Sequence, residues 1–488
     1  MAESVIQGLN PELIWKRFYE ITRVPRPSKK EEKIREHLRS FFRGQNISFK
    51  EDKTGNIIAK VPATPGYENS PTVILQGHVD MVCEKNKETK HDFDKDSIEI
   101  KREDGWITAM GTTLGSDNGI GVSAALAVVN DQEVIHGPIE ILLTVDEETG
   151  MTGASYLDPE MLKGRVLLNM DSEEDGAFYV GCSGGVDTIA SFALTTVKIP
   201  SGYSPYEIMV TGLKGGHSGL DINQGRANAI KLMGRILDFI SDTNYHLASI
   251  SGGSLRNAIP RECEVVIVIK NGQESEVEKK LEEYEKKLMN EFKKSDSGLK
   301  VLIRKSGKKS RKVFSTKIKK NMINLLLAIP HGVIAMSQDI PELVETSTNL
   351  AVISTERNRI TISTSQRSSI ESARDYIASS VKAVLELAGG KVTLSDGYPG
   401  WKPDMDSAIL KTSREVFRNL FNKDPEIKAI HAGLECGLLG ARIPELDMIS
   451  FGPTIQGAHS PDERVNIETV GKFYDLLKGI LKRIAEQG

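Results

Sequence analysis

Three acidic residues in a row follow an apolar segment in the first third of the chain. Residues Ile139–Val145 have the composition of a buried strand, and Asp146, Glu147 and Glu148 come directly after it. Unpaired buried carboxylates are costly, so an acidic cluster at this position indicates a bound cation. We predict that one of the two glutamates binds a metal ion and that the other moves protons. Adjacent strand residues point to opposite faces, so both can serve one site only if the backbone turns at Asp146.

Five residues are candidate ligands of such a metal centre: His78, Asp117, Glu148, Asp171 and His459. Each lies at the end of a predicted strand or in a glycine-rich loop. His78 also shares one face of its strand with Asp80, because residues two apart on a strand point to the same side. Two imidazoles and three carboxylates suit zinc, manganese or cobalt better than they suit calcium. A carboxylate shared between two ions would hold them about 3.5–4 Å apart, as in two-metal hydrolases.

The bulk composition is that of a globular protein with more than one domain. The chain has 488 residues, 39% of them hydrophobic and 27% charged, and a formal net charge of -4. This charge does not favour nucleic-acid binding, and we interpret the basic run Arg304–Lys312 as a solvated connector. No apolar run approaches the about 20 residues that a membrane helix needs, and we find no signal peptide. Four well-separated cysteines suit a reducing compartment, so we expect a cytoplasmic protein.

The order of the predicted elements indicates an α/β protein with an insert. Up to about residue 184, strands alternate with helices, and acidic residues follow the strand ends, where such sheets place their sites. From there to residue 394, a β-α-β-β-α-β pattern is followed by a second, similar one, which indicates an internal duplication. We therefore predict an α/β catalytic domain formed by residues 1–184 and 395–488, interrupted over residues 185–394 by an inserted α+β lid domain. Near the N-terminus, Ser28 and Glu31 predict a capping box at the start of a helix.

Five short motifs resemble those that bind metal in the M20 metallopeptidases: Gly77–Met81, Gly115–Gly119, Val145–Gly150, Asn169–Glu173 and Gly457–His459. Others are similar to motifs of one branch of that family, the aminoacyl-histidine dipeptidases (peptidase D, Xaa-His dipeptidases): Gly215–Gly219, Leu255–Arg261, Gln366–Ser369, Tyr398–Trp401 and His431–Gly437. The resemblance extends from about Asn10 to the C-terminus. Single motifs are moderately specific, whereas their order and number together are highly specific. One departure is Ser116, which stands where the family pattern has alanine.

The resemblance implies how the five ligands are divided between two metal ions. His78 and Asp171 would bind one ion, Glu148 and His459 would bind the other, and Asp117 would bridge them. We expect two divalent ions, with Zn2+ as the first choice and Mn2+ or Co2+ as alternatives. The peptide bond that follows the bridging aspartate is often cis in this family.

The resemblance also assigns residues that act beside the metal ions. Glu147 is similar to the general base of the family, and Asp80 is similar to the carboxylate that orients the first histidine ligand. In the insert, His217 and Asn257 resemble residues that meet the scissile carbonyl oxygen. Arg367 resembles the residue that captures the C-terminal carboxylate of the substrate, a role that suits a planar bidentate donor.

Together these roles imply a dinuclear metallodipeptidase. A hydroxide that bridges the two ions would attack the peptide bond of Xaa-His and other dipeptides, with Glu147 as the general base. A related M20 deacylase or tripeptidase, and a catalytically inactive metal-binding scaffold, are the alternatives. The expected partner is a small peptide, with no nucleic acid and no membrane, and both a monomer and a homodimer are open. No role is assigned to Asp146 or His431.

Overall fold

A computed structural model describes residues 3–307 and 312–487 of the chain. The chain forms two compact units: unit 1 comprises Met1–Gly181, Pro403–Ala429 and Leu434–Gly488, and unit 2 comprises Cys182–Lys402 and Ile430–Gly433. The entry into unit 2 lies near the predicted boundary at residue 184, and the return to unit 1 comes after residue 394. None of the described helices is long and apolar enough to cross a membrane. Residues 308–311 of the basic run lie outside the described residues.

The first part of unit 1 alternates between helices and strands. Its helices are α1 (Glu12–Thr22), α2 (Glu32–Gly44), α3 (Ser116–Asn130), α4 (Glu147–Gly150) and α5 (Thr152–Tyr156). Its strands are β1 (Ser48–Glu51), β2 (Ile57–Val61), β3 (Val73–His78), β4 (Ile100–Glu103), β5 (Trp106–Ala109), β6 (Ile139–Thr144), β7 (Val166–Asn169) and β8 (Ala177–Cys182). Strands β4, β5 and β8 have no counterpart in the predicted pattern.

The insert contributes a longer run of strands and the helices that pack on them. Its strands are β9 (Gly184–Ala193), β10 (Thr196–Lys198), β11 (Tyr203–Thr211), β12 (Gly216–His217), β13 (His246–Gly252), β14 (Ala258–Ile259), β15 (Cys263–Lys270), β16 (Lys300–Lys305), β17 (Lys312–Phe314), β18 (Gly332–Met336), β19 (Val344–Thr355), β20 (Arg359–Ser368) and β21 (Lys391–Leu394). Its helices are α6 (Ala229–Phe239), α7 (Glu274–Glu291), α8 (Thr316–Ala328) and α9 (Glu371–Leu387).

The last part of the chain returns to unit 1. It contains α10 (Ala408–Phe421), β22 (Glu426–Ile430), α11 (Glu435–Arg442), β23 (Asp447–Ser450), β24 (Ile455–Gln456), β25 (Arg464–Asn466) and α12 (Ile467–Ala485). Helix α11 begins inside the motif His431–Gly437.

The central sheet of unit 1 has the strand order β1-β2-β6-β3-β7-β23-β8-β22. Strand β3 pairs in parallel with β6 and with β7. Every residue of β3 and β6 is buried, as expected for central strands of a covered parallel sheet. The carboxyl ends of the three strands therefore lie at one edge of the sheet. There His78 ends β3, the acidic run 146–148 follows β6, and Asp171 comes just after β7.

The main sheet of unit 2 has the strand order β16-β11-β15-β13-β19-β20-β9-β21. Its two halves have the same plan of strand pairing. In the first half, β11 pairs with β15 and β16, and β13 pairs with β15. In the second half, β9 pairs with β20 and β21, and β19 pairs with β20. The halves meet where Ser251 and Gly252 of β13 pair with Ser354 and Ile353 of β19. Strand β9, which the predicted pattern lacked, opens the second half although it precedes the first half in sequence. Common descent of the halves stays a prediction.

Candidate metal centre and arginine pocket

The five candidate ligands come together at the carboxyl edge of the unit 1 sheet. Nε2 of His78 lies 3.0 Å from Oδ1 of Asp117 and 3.3 Å from Oδ1 of Asp171. Nε2 of His459 lies 3.2 Å from Oδ2 of Asp117 and 3.0 Å from Oε2 of Glu148. Asp117 thus places one oxygen beside each imidazole. This is the arrangement that a carboxylate shared by two ions requires.

The donor set fits two divalent cations. Ligand atoms of His78, Asp117 and Asp171 all lie within 4.8 Å of one another, and so do those of Asp117, Glu148 and His459. Oε1 of Glu148 is buried without a hydrogen-bond partner among the described residues. Hydrogen bonds to Asp117 and Glu148 raise the pKa of His459 to about 11. The carboxylates therefore attract positive charge strongly, and metal cations would supply it with imidazoles that remain neutral.

Asp80 holds both a ligand and the acidic turn. Its Oδ1 lies 3.3 Å from Nδ1 of His78. Its two oxygens also accept hydrogen bonds from the backbone N–H groups of Glu147 at 3.1 Å and Glu148 at 3.2 Å, and from Oγ of Ser28 at 2.8 Å. Burial alone would raise the pKa of Asp80, but the bonds to His78 and Ser28 lower it to about 2. A permanently charged carboxylate therefore orients the imidazole and positions the acidic turn.

The backbone turns at Asp146, as predicted from the need to bring two adjacent glutamates to one site. Asp146 is in the left-handed region, with φ 52° and ψ 47°. Its carboxylate accepts hydrogen bonds from the hydroxyls of Thr149 and Thr152, which follow the turn. Its backbone N–H donates to Oε1 of Glu31 at 3.1 Å. Asp146 therefore stabilises the turn that presents Glu147 and Glu148.

The predicted capping box at Ser28 and Glu31 is wrong. Helix α2 begins at Glu32, and no side-chain hydrogen bond caps it. Oε1 of Glu31 instead accepts the N–H of Lys29 at 2.6 Å and that of Asp146. Because Ser28 is hydrogen-bonded to Asp80, both residues of the expected box support the acidic turn.

The glycine-rich loop before α3 is organised by two buried charged residues. Glu463 accepts hydrogen bonds from the backbone N–H groups of Leu114, Gly115 and Ser116 at 2.7–2.9 Å and from Oγ of Ser116 at 2.6 Å. Arg26 donates to two carbonyl oxygens at the end of β3, at 3.0 and 2.7 Å, and to the carbonyl of Gly115. The serine that departs from the family pattern thus supplies a further donor to the carboxylate. The loop presents Asp117, whose following peptide bond is cis.

Glu147 has the environment of a proton acceptor. Burial first, and then the negative charges of Asp171 and Glu435, raise its pKa well above the usual value for a glutamate. Glu435 is fully buried, and its Oε2 accepts hydrogen bonds from Nε2 of Gln76 at 2.6 Å and Oγ1 of Thr144 at 2.7 Å. A carboxylate that binds protons more tightly than usual is a stronger base near neutral pH.

A second group of predicted residues lies in unit 2. Arg367 on β20 is buried and donates from Nη1 to the hydroxyl of Tyr398 at 2.8 Å. His431 is buried, and its Nε2 lies 2.7 Å from Oγ of Ser347. Burial lowers the pKa of both His217 and His431, and the positive charge of Arg367 lowers it further. The pKa of His431 falls to about 3. The arginine therefore has two neutral imidazoles as neighbours, and we call Arg367, Tyr398, His217 and His431 the arginine pocket.

The hydrogen bonds of His217 define its tautomer. Its Nδ1 accepts the backbone N–H groups of Gly219 at 3.2 Å and Leu220 at 3.1 Å. A neutral ring with Nδ1 as acceptor carries its proton on Nε2, which is then a donor. Asn257 lies next to this segment, because its carbonyl accepts the N–H of Ser218 at 2.8 Å.

The family model described as Peptidase family M20/M25/M40 matches residues 74–483. The chain belongs to this family. It is 42% identical over 482 residues, 99% of both chains, to the cytosol non-specific dipeptidase of Escherichia coli strain K12. The crystal structure of the aminoacylhistidine dipeptidase of Vibrio alginolyticus is 43% identical and covers 98% of this chain and 97% of its own, with a TM-score of 0.90. The aminopeptidase PepT of Bacillus cereus, at 16% identity over 98% of this chain and 99% of its own, shares the fold with a TM-score of 0.57.

This M20 peptidase has the family and the α/β fold that the resemblance implied, and it is a metallopeptidase by class. The structure brings the five candidate ligands, Asp80 and Glu147 together in unit 1 and groups His217 with Arg367 in unit 2. Their individual roles stay predictions.

Sequence reasoning missed several supporting residues of the M20 peptidase: Arg26, Ser28, Glu31, Glu435, Glu463 and Tyr398. Two of them had a signal, because Glu435 and Tyr398 lie inside motifs that carry the family resemblance. Ser28 and Glu31 have the sequence pattern of a helix cap, but in the structure they support the acidic turn. Arg26 and Glu463 have no local pattern that marks them.

Proposed function

We propose that this M20 peptidase is a dinuclear metal-dependent dipeptidase that hydrolyses Xaa-His and other dipeptides. The observation that carries the proposal is the position of Asp117, with one carboxylate oxygen at each of two imidazole-carboxylate groups. The names of the two relatives above 40% identity, a non-specific dipeptidase and an aminoacylhistidine dipeptidase, support the substrate class. The cytosolic description of the bacterial relative supports a cytoplasmic location.

Five residues would hold the metal ions. His78 and Asp171 would bind one, Glu148 and His459 the other, and Asp117 would bind both. When bound, two divalent ions, Zn2+ by expectation, supply Lewis acidity and lower the pKa of water towards neutrality. Asp80 would keep Nε2 of His78 directed to its ion through the contact of its Oδ1 with Nδ1, 3.3 Å away.

Glu147 moves the protons of the reaction. It is not one of the five proposed ligands, and its partly buried carboxylate beside them can accept a proton and release it again. Glu147 takes the proton of the attacking water and passes it to the nitrogen of the leaving amino acid. His217 donates from Nε2 to the carbonyl oxygen on which negative charge develops.

Arg367 selects the length of the substrate. A buried guanidinium needs an anionic partner, and no carboxylate lies within ion-pair distance of Arg367 among the described residues. The C-terminal carboxylate of a dipeptide would provide that partner. A substrate whose C-terminal carboxylate lies one residue beyond the scissile bond would then be preferred over a longer peptide.

A substrate panel tests the proposal. Purified protein is reconstituted with zinc, manganese or cobalt and given dipeptides with and without C-terminal histidine, a tripeptide, a dipeptide amide and an N-acetyl amino acid. We expect hydrolysis of the free dipeptides, at least about tenfold slower hydrolysis of the amide, and loss of all activity with a chelator. Faster hydrolysis of the N-acetyl amino acid or the tripeptide would contradict the dipeptidase proposal in favour of the alternatives. No turnover of any substrate by metal-loaded protein would indicate an inactive scaffold.

A further inference from the structure

The hydroxyl of Tyr398 is a hydrogen-bond partner of the guanidinium of Arg367. Nη1 of Arg367 donates to this hydroxyl at 2.8 Å, while Nε of Arg367 is buried without a partner among the described residues. Only 8% of Arg367 is exposed. A neutral hydroxyl cannot balance a buried positive charge, so the pair is electrostatically incomplete and suited to an anion.

Tyr398 reaches Arg367 because a glycine lies between them. On the paired strands β20 and β9, the Cα partner of Arg367 is Gly185. The backbone of Tyr398 pairs with Gly185 in both directions, with N–H to carbonyl distances of 2.8 and 3.0 Å. A Cβ at Gly185 would lie 2.7 Å from the Tyr398 hydroxyl oxygen, which is closer than real contacts. The missing side chain leaves the space that the phenol occupies.

The backbone that carries the phenol is anchored a second time. Nη1 of Arg374 on α9 donates to the carbonyl of Tyr398 at 2.9 Å. The segment is also followed by Trp401, whose carbonyl accepts the N–H of Cys182 at 2.9 Å. The hydroxyl is therefore placed by several backbone contacts, and its position does not depend on its bond to Arg367.

The phenol can donate as well as accept. Its oxygen accepts the Arg367 bond, which leaves its own proton for another acceptor. Burial raises the pKa of Tyr398 despite the opposing charge of Arg367, so the group keeps this proton at neutral pH. The nearby imidazoles of His217 and His431 are held neutral and supply no counter-charge.

We propose that Tyr398 is a specificity residue for the substrate carboxylate, which it recognises together with Arg367. The hydroxyl holds one edge of the guanidinium so that the remaining N–H groups face the anion, and it donates its own proton to the same carboxylate. The inference rests on the proposed function for the identity of the anion, a C-terminal carboxylate. Gly185 is a positioning residue that makes the arrangement possible.

The Tyr398→Phe variant tests this inference in the metal-loaded enzyme, because it removes the hydroxyl and keeps the ring. We measure kcat and KM for Ala-His and for its C-terminal amide. We expect KM for Ala-His to rise about tenfold or more, kcat to change little, and hydrolysis of the amide to stay the same. The preference for the acid over the amide therefore falls. Tyr376→Phe, on an exposed tyrosine of α9, is the matched control and should behave like wild type.

A second variant tests whether the position of the Tyr398 hydroxyl, and not a general loss of activity, explains the result. Gly185→Ala keeps both functional side chains but displaces the phenol. We expect it to reduce the acid-over-amide preference, and we expect the double variant with Tyr398→Phe to be no worse than the more impaired single variant. An unchanged preference in Tyr398→Phe, or equal losses for acid and amide, would overturn the inference.

Binding of products distinguishes this inference from the proposed function. Calorimetry compares L-histidine with L-histidinamide on wild type and Tyr398→Phe. In one outcome, wild type hydrolyses no dipeptide but binds L-histidine more tightly than L-histidinamide, and Tyr398→Phe lacks that preference. This outcome would contradict dipeptide hydrolysis and support the carboxylate role of Tyr398. Equal binding of acid and amide by wild type would overturn the carboxylate role even in an active dipeptidase.

Discussion

The metal centre of unit 1 and the arginine pocket of unit 2 have opposite charge imbalances. In the metal centre, Asp117, Glu148 and Asp171 surround two imidazoles, and the imidazoles acquire raised pKa values. In the arginine pocket, one buried guanidinium has two imidazoles whose pKa values are lowered. The protonated form of histidine is therefore favoured in the metal centre, and the neutral form is favoured in the arginine pocket. We propose that each region binds a charge from outside the chain: metal cations in the first and an anion in the second.

The two regions also differ in how the backbone builds them. The metal centre uses the carboxyl ends of parallel strands, with side chains from loops and short helices. The arginine pocket uses a residue on an antiparallel strand, and its neighbours come from strand register and from a glycine that leaves space. Substitutions should therefore affect metal content in the first region and substrate discrimination in the second.

The largest expected effect separates two adjacent glutamates of the metal centre. Glu147→Gln should lower kcat about 10²–10⁴-fold with metal content unchanged, because it removes the proton acceptor and no ligand. Glu148→Gln should lose metal as well, since it alters an oxygen of a proposed ligand. Metal analysis beside steady-state kinetics distinguishes the two variants. Normal turnover by metal-replete Glu147→Gln would contradict its assignment as the base.

Arg367→Lys should have the next largest effect. It keeps the charge but loses the planar fork, so kcat/KM for dipeptides should fall about 10–100-fold. Metal content and hydrolysis of the dipeptide amide should not change. A loss of metal in this variant would show that the two regions are not separable as described. Arg357→Lys, on an exposed arginine between β19 and β20 of the same unit, serves as the control.

A smaller effect concerns stability and pH. Burial raises the pKa of Glu435 from 4.5 to about 7. The folded protein therefore binds this proton more tightly than the unfolded chain, so ionisation costs stability as pH rises through this interval. The unfolding free energy of metal-free Glu435→Gln, relative to metal-free wild type, should therefore rise between about pH 5 and pH 8, by at most about 3 kcal/mol. Urea unfolding midpoints at both pH values measure the change. A pH-independent difference would contradict the raised pKa.

The smallest expected effect is that of Ser116→Ala. The hydroxyl is one of several donors to Glu463, and the four backbone N–H donors remain. We expect a loss of about 1 kcal/mol in unfolding free energy and no change in metal content. Thermal unfolding and metal analysis measure the two quantities. A variant depleted of metal would show that the serine is needed to present Asp117.

The sequence predicted the five candidate ligands because each lies in a motif or at a predictable strand end, and the structure brings them together. It also predicted the turn at Asp146, since two neighbouring glutamates cannot otherwise share a site. It did not reveal Glu463, which accepts the backbone N–H of Asp117 across 346 positions, or the hydrogen bond that Glu435 accepts from Gln76 across 359 positions. Such pairs depend on the tertiary fold and have no local periodicity. The contact of Tyr398 with Arg367 depends on the register of β9 and β20, which one sequence does not specify.

The carboxylate of Asp80 has a consequence beyond orienting one ring. The same two oxygens hold the imidazole of His78 and the N–H groups that begin the turn of Glu147 and Glu148. A displacement of the ring would therefore move the turn that carries Glu147, the proposed general base. Metal binding at His78 and the position of Glu147, the proposed general base, would therefore be coupled through Asp80.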